Sequence, residues 1–202
     1  MDYNYIFFDC ESNSGRSHAD ILTISALFVD KNFKWIEEFN CAARLRKSRV
    51  YEIDSFLVNG MDPFEVDKHP FSNFDLTKKT NDKFISWINK GPVLFCAHNG
   101  YQFDYMLTST HLFTNLFTWP WIFSTGNAKQ IDSLPILQNF DFYAPNTIAV
   151  ELNEKSNKTF KLGSLCRMNG FDLGDKAHTA EADTLGMSKL MQLISKKKSR
   201  II

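Results

Sequence analysis

The order of apolar segments predicts an α/β domain: one mixed, five-stranded sheet flanked by helices. Three strand-like runs come first, joined by short connections, and later strand-like runs alternate with helical patterns. Size agrees. A chain of 202 residues with 44% hydrophobic content can bury one full core, and no linker, repeat or composition break divides it.

Residues 3–9, 21–29 and 33–41 read as strands, the last two joined by a Lys31-Asn32 hairpin turn. Helical stretches follow at 53–57 and 76–88. A compact apolar strand at 93–97 leads into a helix over 101–117, and a short strand at 129–132 precedes more helix. The last helix is expected at 179–195, with Ala182, Leu185, Met187, Leu190, Met191 and Ile194 on its apolar face. Residues 1–195 then form one domain and 196–202 a basic C-terminal tail.

The N-terminus lacks a basic region followed by an apolar stretch, and no run approaches the about 18 apolar residues of a membrane span. A soluble, cytoplasmic protein is expected. Cys10, Cys41, Cys96 and Cys166 show no paired metal spacing and read as reduced, mostly buried thiols. The formal net charge is zero, so local runs matter more. Arg44, Arg46, Lys47 and Arg49 form one and Lys196, Lys197, Lys198 and Arg200 another; either could meet phosphates, and either could be solvated surface. Most of the 19 phenylalanines must be core. Phe103 can be read as core or as a stacking platform for a terminal base, whereas Trp119-Pro120-Trp121 reads as packing over the domain.

Four acidic residues and one histidine carry the chemistry. Asp9 and Glu11 end the first strand, and an i, i+2 pair there points both carboxylates to one face. Cys10 between them faces the other side, which favours packing. Asp104 follows the 93–97 strand, near the first turn of a helix, where open α/β sheets place ligands. Asp183 falls at the edge of the last helix's apolar face, an expensive place for an unpaired carboxylate, and His178 precedes it. Each pattern alone has a bland reading, as a solvated strand end, a dipole-complementing acid or an idle histidine. Converging carboxylates need something positive between them, which points to hard divalent cations, and a histidine beside them supplies a base for water. Two such ions about 4 Å apart suit in-line attack on a phosphodiester.

These motifs resemble the DEDDh-type 3′–5′ exonuclease superfamily, and within it the nuclease domain of bacterial exonuclease I. Leu57-Val-Asn-Gly-Met-Asp-Pro63 is similar to that group's Leu-Ile-Thr-Gly-Ile-Thr-Pro turn. Asn115-Leu-Phe-Thr-Trp-Pro-Trp121, Gly126-Asn127 and Asp132 are similar to its Asn-Phe-Tyr-Asp-Pro-Tyr stretch, following asparagine and Trp-Asp-Leu. Phe160-Lys-Leu-Gly-Ser-Leu-Cys-Arg-Met-Asn-Gly170 is similar to its Phe-Arg-Leu-Glu-His-Leu-Thr-Lys-Ala-Asn-Gly. Ser12 and Lys161 depart from the threonine and arginine common there, and the lysine turns a bidentate phosphate fork into a point charge.

The resemblance implies a ribonuclease H-like fold and a two-metal 3′–5′ exonuclease, using Mg2+ or Mn2+, that releases nucleoside 5′-monophosphates from single-stranded DNA with a free 3′ end. It assigns Asp9 to both ions, Glu11 and Asp183 to the water-activating ion, Asp104 to the ion facing the leaving oxygen, and His178 to the water's proton. Asn59, Gly60, Met61 and Phe103 would lie near the terminal nucleotide, Ser12 and Asn99 near its sugar or phosphate, and Lys161 on a phosphate. Exonuclease I continues past its nuclease domain into SH3-like and helical domains, so this sequence, ending at Ile202, is expected to hold a strand less processively. An exoribonuclease, a short-oligonucleotide nuclease and a silent nucleic-acid-binding module are the alternatives.

Overall fold

The computed structural model describes residues 2–16, 18–117, 127–171, 173–174 and 179–198. At its centre, β1 (Asn4–Ser12) sends alternate side chains into two cores: Ile6, Phe8 and Cys10 into one and Phe7 into the other. This is the period-two geometry of a strand buried on both faces. β2 (Ile21–Val29) and β3 (Trp35–Ala42) follow antiparallel. Then come α1 (Ile53–Asn59), α2 (Pro63–Asp67) and α3 (Asn73–Ile88). β4 (Val93–Ala97) and β5 (Ala128–Asp132) lie parallel to β1 and are separated by α4 (Asp104–Thr114). The strand order is β3-β2-β1-β4-β5, the five-stranded mixed sheet that the sequence predicts.

The first core packs α3 and α4 on one face, through Leu76, Phe84, Trp87, Leu107 and Leu112 against Phe8 and Phe95. On the other face lie α5 (Ser133–Tyr143), α6 (Leu162–Met168) and α7 (Ala180–Lys198), contributing Leu137, Leu165, Met187 and Leu190. Each such side chain contributes about 1.5–3 kcal/mol by leaving water. At Gly186 an added Cβ would stand 2.6 Å from the Cys166 sulfur and 3.2 Å from Leu173. Glycine there lets α7 close on α6, which seats the acidic start of α7 over the sheet.

Several boundaries differ from the sequence reading. The third strand starts at Trp35 because the turn takes in Phe33. Asp30 accepts the N–H groups of Asn32 and Lys34, both at 2.8 Å, and Phe33, at φ 62°, stacks its ring on Tyr5. The helix expected at 101–117 is only Asp104–Thr114, because its first residues form a turn held from outside. α2 and a two-stranded hairpin, β6 (Glu151–Leu152) with β7 (Lys158–Thr159), are additional. α7 passes its expected end at 195, so Lys196 and Lys197 are helical rather than tail, placed where cations complement a helix's carbonyl end. Trp119-Pro120-Trp121, Gly126, His178 and residues 199–202 lie outside the described residues.

The basic run at 44–49 is largely used inside the fold. Arg44 donates to the carbonyls of His69 and Pro70. Asp20, fully buried, accepts from the Arg46 guanidinium and backbone N–H and lies 3.6 Å from Arg49. Asn13, just past Glu11, binds the Asp20 backbone in both directions. Buried Asp20 thus ties Arg46 and Arg49 to the fold while their side chains stay in contact with solvent. Arg46→Ala should therefore destabilise the protein by about 2–3 kcal/mol, below the roughly 3–5 kcal/mol of a fully orphaned buried charge because Arg49 remains. Chemical denaturation checks this, and a midpoint within error of wild type would show the pair to be inert.

Candidate active site

β1 carries Asp9 and Glu11 on the face of Phe7, opposite Ser25 and Thr23 of β2. The strand runs on through Ser12, past the expected end at residue 9, and so holds both acids rigidly. Asp183 enters from the first turn of α7, its N–H bonded to the Thr179 carbonyl at 3.0 Å. Carboxylate oxygens of Asp9, Glu11 and Asp183 lie within 4.8 Å of one another. Two strand positions and a helix 172 residues further on (183 − 11) thus meet in one cluster.

Asp104 stands just behind. β4 pairs with β1 only as far as Phe7 and Cys96, which opens β1's edge at the carboxyl ends of the parallel strands. Asp104, the first residue of α4 and buried, fills the opening: its carboxylate accepts the Cys10 N–H at 3.0 Å. Cys10 itself points into the first core, its sulfur 3.5 Å from the Thr108 hydroxyl. Burial pushes its thiol well up, which suits packing rather than catalysis.

The four acids strain against each other. Burial, then Asp104, Glu11 and Asp183, hold the Asp9 carboxyl well above the usual range. Burial, then Asp183 and Asp104, push Glu11 to about 8, and burial takes Asp104 to about 7 although the Cys10 N–H pulls it down. Clustered carboxylate oxygens, with Asp9, Glu11 and Asp104 pushed towards the protonated form for want of a counter-charge, fit a hard divalent cation. In metal-free protein these groups keep protons that the unfolded chain releases near the ordinary 4.5 of a glutamate, so folding stability should fall as pH rises from there towards 8. A cation displaces those protons, and its stabilisation grows over the same window. At pH 8 with Mn2+ at a hundred times Kd, about 2.7 kcal/mol corresponds to a Tm rise of about 5–10 °C for a chain of this size. A chelated protein with level Tm between pH 5 and 8, unmoved by Mn2+, would refute the metal site.

Residues expected around the substrate divide into two groups. Ser12 is buried, its hydroxyl donating to the Ser14 carbonyl, and the Asn59 amide donates to the Ser12 carbonyl at 3.4 Å. Asn59 also accepts the Met61 N–H, and Gly60 closes α1 in a left-handed turn at φ 64°. Asn59, Gly60 and Met61 line a cavity of about 540 Å³ with Thr23, Ser25 and Glu181, adjoining the clustered acids. Phe103 precedes Asp104, half-buried against the first core, so packing is its observed role. Lys161 is exposed at the start of α6 and lines a larger cavity, about 780 Å³; none of the four acids lines either cavity.

The loop bearing Asn99 is built by two residues that were not singled out as site residues. Asp132, buried at the end of β5, accepts the N–H groups of Asn99, Tyr101 and Leu134 at 2.9, 3.2 and 2.9 Å. It caps α5 and folds the turn in which Asn99 is left-handed at φ 58°, while a Cβ on Gly100 would meet Ala97 at 2.3 Å. His98 is neutral, its pKa lowered by burial; Nε2–H donates to the Phe160 carbonyl and Nδ1 accepts from Ser133, both at 2.9 Å. An aspartate before a helix is a readable cap signal, but nothing local tells that it also grips a loop 33 residues earlier.

No family model matches the chain. Exodeoxyribonuclease I of Buchnera aphidicola subsp. Schizaphis graminum (strain Sg) is 25% identical over 205 residues, covering 99% of this chain and 41% of that protein. E. coli exonuclease I in complex with a dA16 oligonucleotide superposes with a TM-score of 0.85 at 18% identity, over 98% of this chain and 42% of that one. Exonuclease I from Methylocaldum szegediense gives 0.83 at 16% identity, over 98% and 41%. The chain spans about two fifths of the length of these proteins. Among the described residues no helix is long and apolar enough to cross a membrane. With its ribonuclease H-like five-stranded sheet and these likenesses, the chain has the exonuclease I fold, and its carboxylate cluster lies within that fold.

Proposed function

We propose that the protein is a 3′–5′ exonuclease that hydrolyses single-stranded DNA to nucleoside 5′-monophosphates with two divalent ions, Mg2+ or Mn2+. The observation that carries this reading is the convergence of Asp9, Glu11 and Asp183, with Asp104 behind them, beside an open cavity. A relative named exodeoxyribonuclease I, and the likeness to E. coli exonuclease I in complex with a dA16 oligonucleotide, support the choice of substrate.

Asp9, Glu11 and Asp183 would hold the ions, with Asp104 completing the acidic set. When bound, such ions supply positive charge against the phosphodiester and lower the pKa of water. The cavity at Asn59, Gly60 and Met61 receives the terminal nucleotide, and its Thr23 and Ser25 walls set that nucleotide beside Glu11 and Asp9. Ser12 and Asn99 lie towards its sugar and phosphate, Phe103 supports the base side, and Lys161 meets a phosphate. His178, five residues before Asp183 in the motif, takes the proton from the attacking water.

End-labelled single-stranded DNA, duplex DNA, RNA and a closed circular single strand, each incubated with Mg2+, test the reading. The expected result is release of 5′-mononucleotides from free 3′ ends, fastest on single-stranded DNA. Cutting of the circle would show an endonuclease, faster RNA decay an exoribonuclease, and inertness on all four a silent binding module.

A further inference from the structure

We infer that the groove between the β6–β7 hairpin and α6 carries the substrate strand upstream of its 3′ end, with Lys155 at the hairpin tip as a phosphate contact. This deepens the exonuclease reading and rests on it.

The groove is large, about 780 Å³, and lies apart from the cavity proposed for the terminal nucleotide. Both its rims run into elements that hold the acids. On one rim, Lys161 follows Phe160, whose carbonyl is pinned by His98 at the head of the loop leading to Asp104. On the other, Leu173 packs at Gly186, one turn beyond Asp183 on α7. A strand whose end lies among the carboxylates can therefore leave the site along this groove.

The lining suits a phosphate backbone. Glu151 is engaged by the Ser164 hydroxyl and by Arg167, at 2.8 Å. Lys155 and Lys161 make no ion pair with a described residue, and among the described lining residues the remaining acid is Glu154. The hairpin tip is a built presentation device: Asn153 accepts the N–H groups of Lys155 and Asn157, both at 3.0 Å, and its carbonyl accepts Ser156 N–H at 2.8 Å. That turn holds the Lys155 backbone in one conformation with its side chain in solvent. Exposed Leu152 beside it offers an apolar contact to a base. None of the described lining residues is aromatic, so the grip they offer comes from phosphates rather than from stacking, and it depends on salt.

Lys155→Ala, in the full chain, tests this through the kcat/KM of dT12 against that of dT2, measured over a range of KCl with Mg2+. The long strand extends beyond the terminal-nucleotide cavity, and dT2 serves as the short reference. The expected result is a fall in the dT12-to-dT2 ratio at low salt and a log–log salt slope for dT12 that is shallower by about 0.7, the value of one single-strand phosphate contact. An unchanged ratio and slope overturn the groove while leaving the exonuclease reading intact, as does an equal loss on both substrates. Wild-type protein that degrades neither oligonucleotide overturns the exonuclease reading and this one with it.

Discussion

Asp9→Ala should abolish turnover and at the same time raise the thermal stability of the metal-free protein. The loss follows from the cluster: Asp9 is one of three carboxylates within 4.8 Å, and removing it leaves any bound cation short of a ligand. Losing a partner outside the ligand set costs about 10–100-fold in metal affinity or activity, so losing this ligand should exceed about 10³-fold in kcat. The gain follows from the same geometry. Asp9 is partly buried and repelled by Asp104, Glu11 and Asp183, so without a cation it opposes folding above the ordinary carboxylate pKa. Alanine removes that repulsion. Scanning calorimetry at pH 8 in chelator should show a higher Tm for the variant, and Mn2+ should reverse the order by stabilising wild type more. A variant that is both inactive and less stable in chelator would mean that Asp9 is a structural anchor.

His178→Ala should lose about 10²–10⁴-fold in kcat, the usual worth of a general base, while metal-induced stabilisation and DNA affinity persist. The imidazole titrates near 6.5 when unperturbed, so the wild-type rate should rise with pH through a limb close to that value. A group that must be deprotonated to act gives a rate that is lost as pH falls. The variant should lack this limb or show it moved towards the ionisation of water. Retention of both rate and limb would make the histidine a bystander and remove the proton acceptor from the proposed mechanism.

The acids differ in how much of their role could be read locally. Asp9 and Glu11 follow from strand periodicity, which puts i and i+2 on one face whatever the rest of the chain does. Asp104 was marked by its place after a buried strand, at the head of a helix, and Asp183 by cost, since a carboxylate beside an apolar helical face needs a partner; which partners they meet depended on chain folding. For Asp104 it is the Cys10 N–H, left open where β4 departs from β1. The basic run at 44–49, which the sequence left open between phosphate contact and solvated surface, shows the opposite limit. Asp20, distant in sequence and wholly buried, pairs with Arg46 and Arg49. Lys155 drew no attention in the sequence because the β6–β7 hairpin, two residues on each strand, is too short for a periodic signal.

The sequence by itself determined the class of fold, the two-sided burial of the central strand and which acids face the same way, because these depend on side-chain alternation and apolar spacing within single elements. Tertiary structure alone decided that Asp183 joins Asp9 and Glu11, that Asp132 shapes the Asn99 loop, that Arg46 and Arg49 pair with buried Asp20 and that two cavities adjoin the elements holding the acids. Each of these is a meeting of segments far apart in the chain, fixed by close packing such as that of α6 on α7 at Gly186 and by hydrogen bonds to buried carboxylates. Local spacing carries no record of such partners, because the free energy that selects them belongs to burial and pairing across the whole domain.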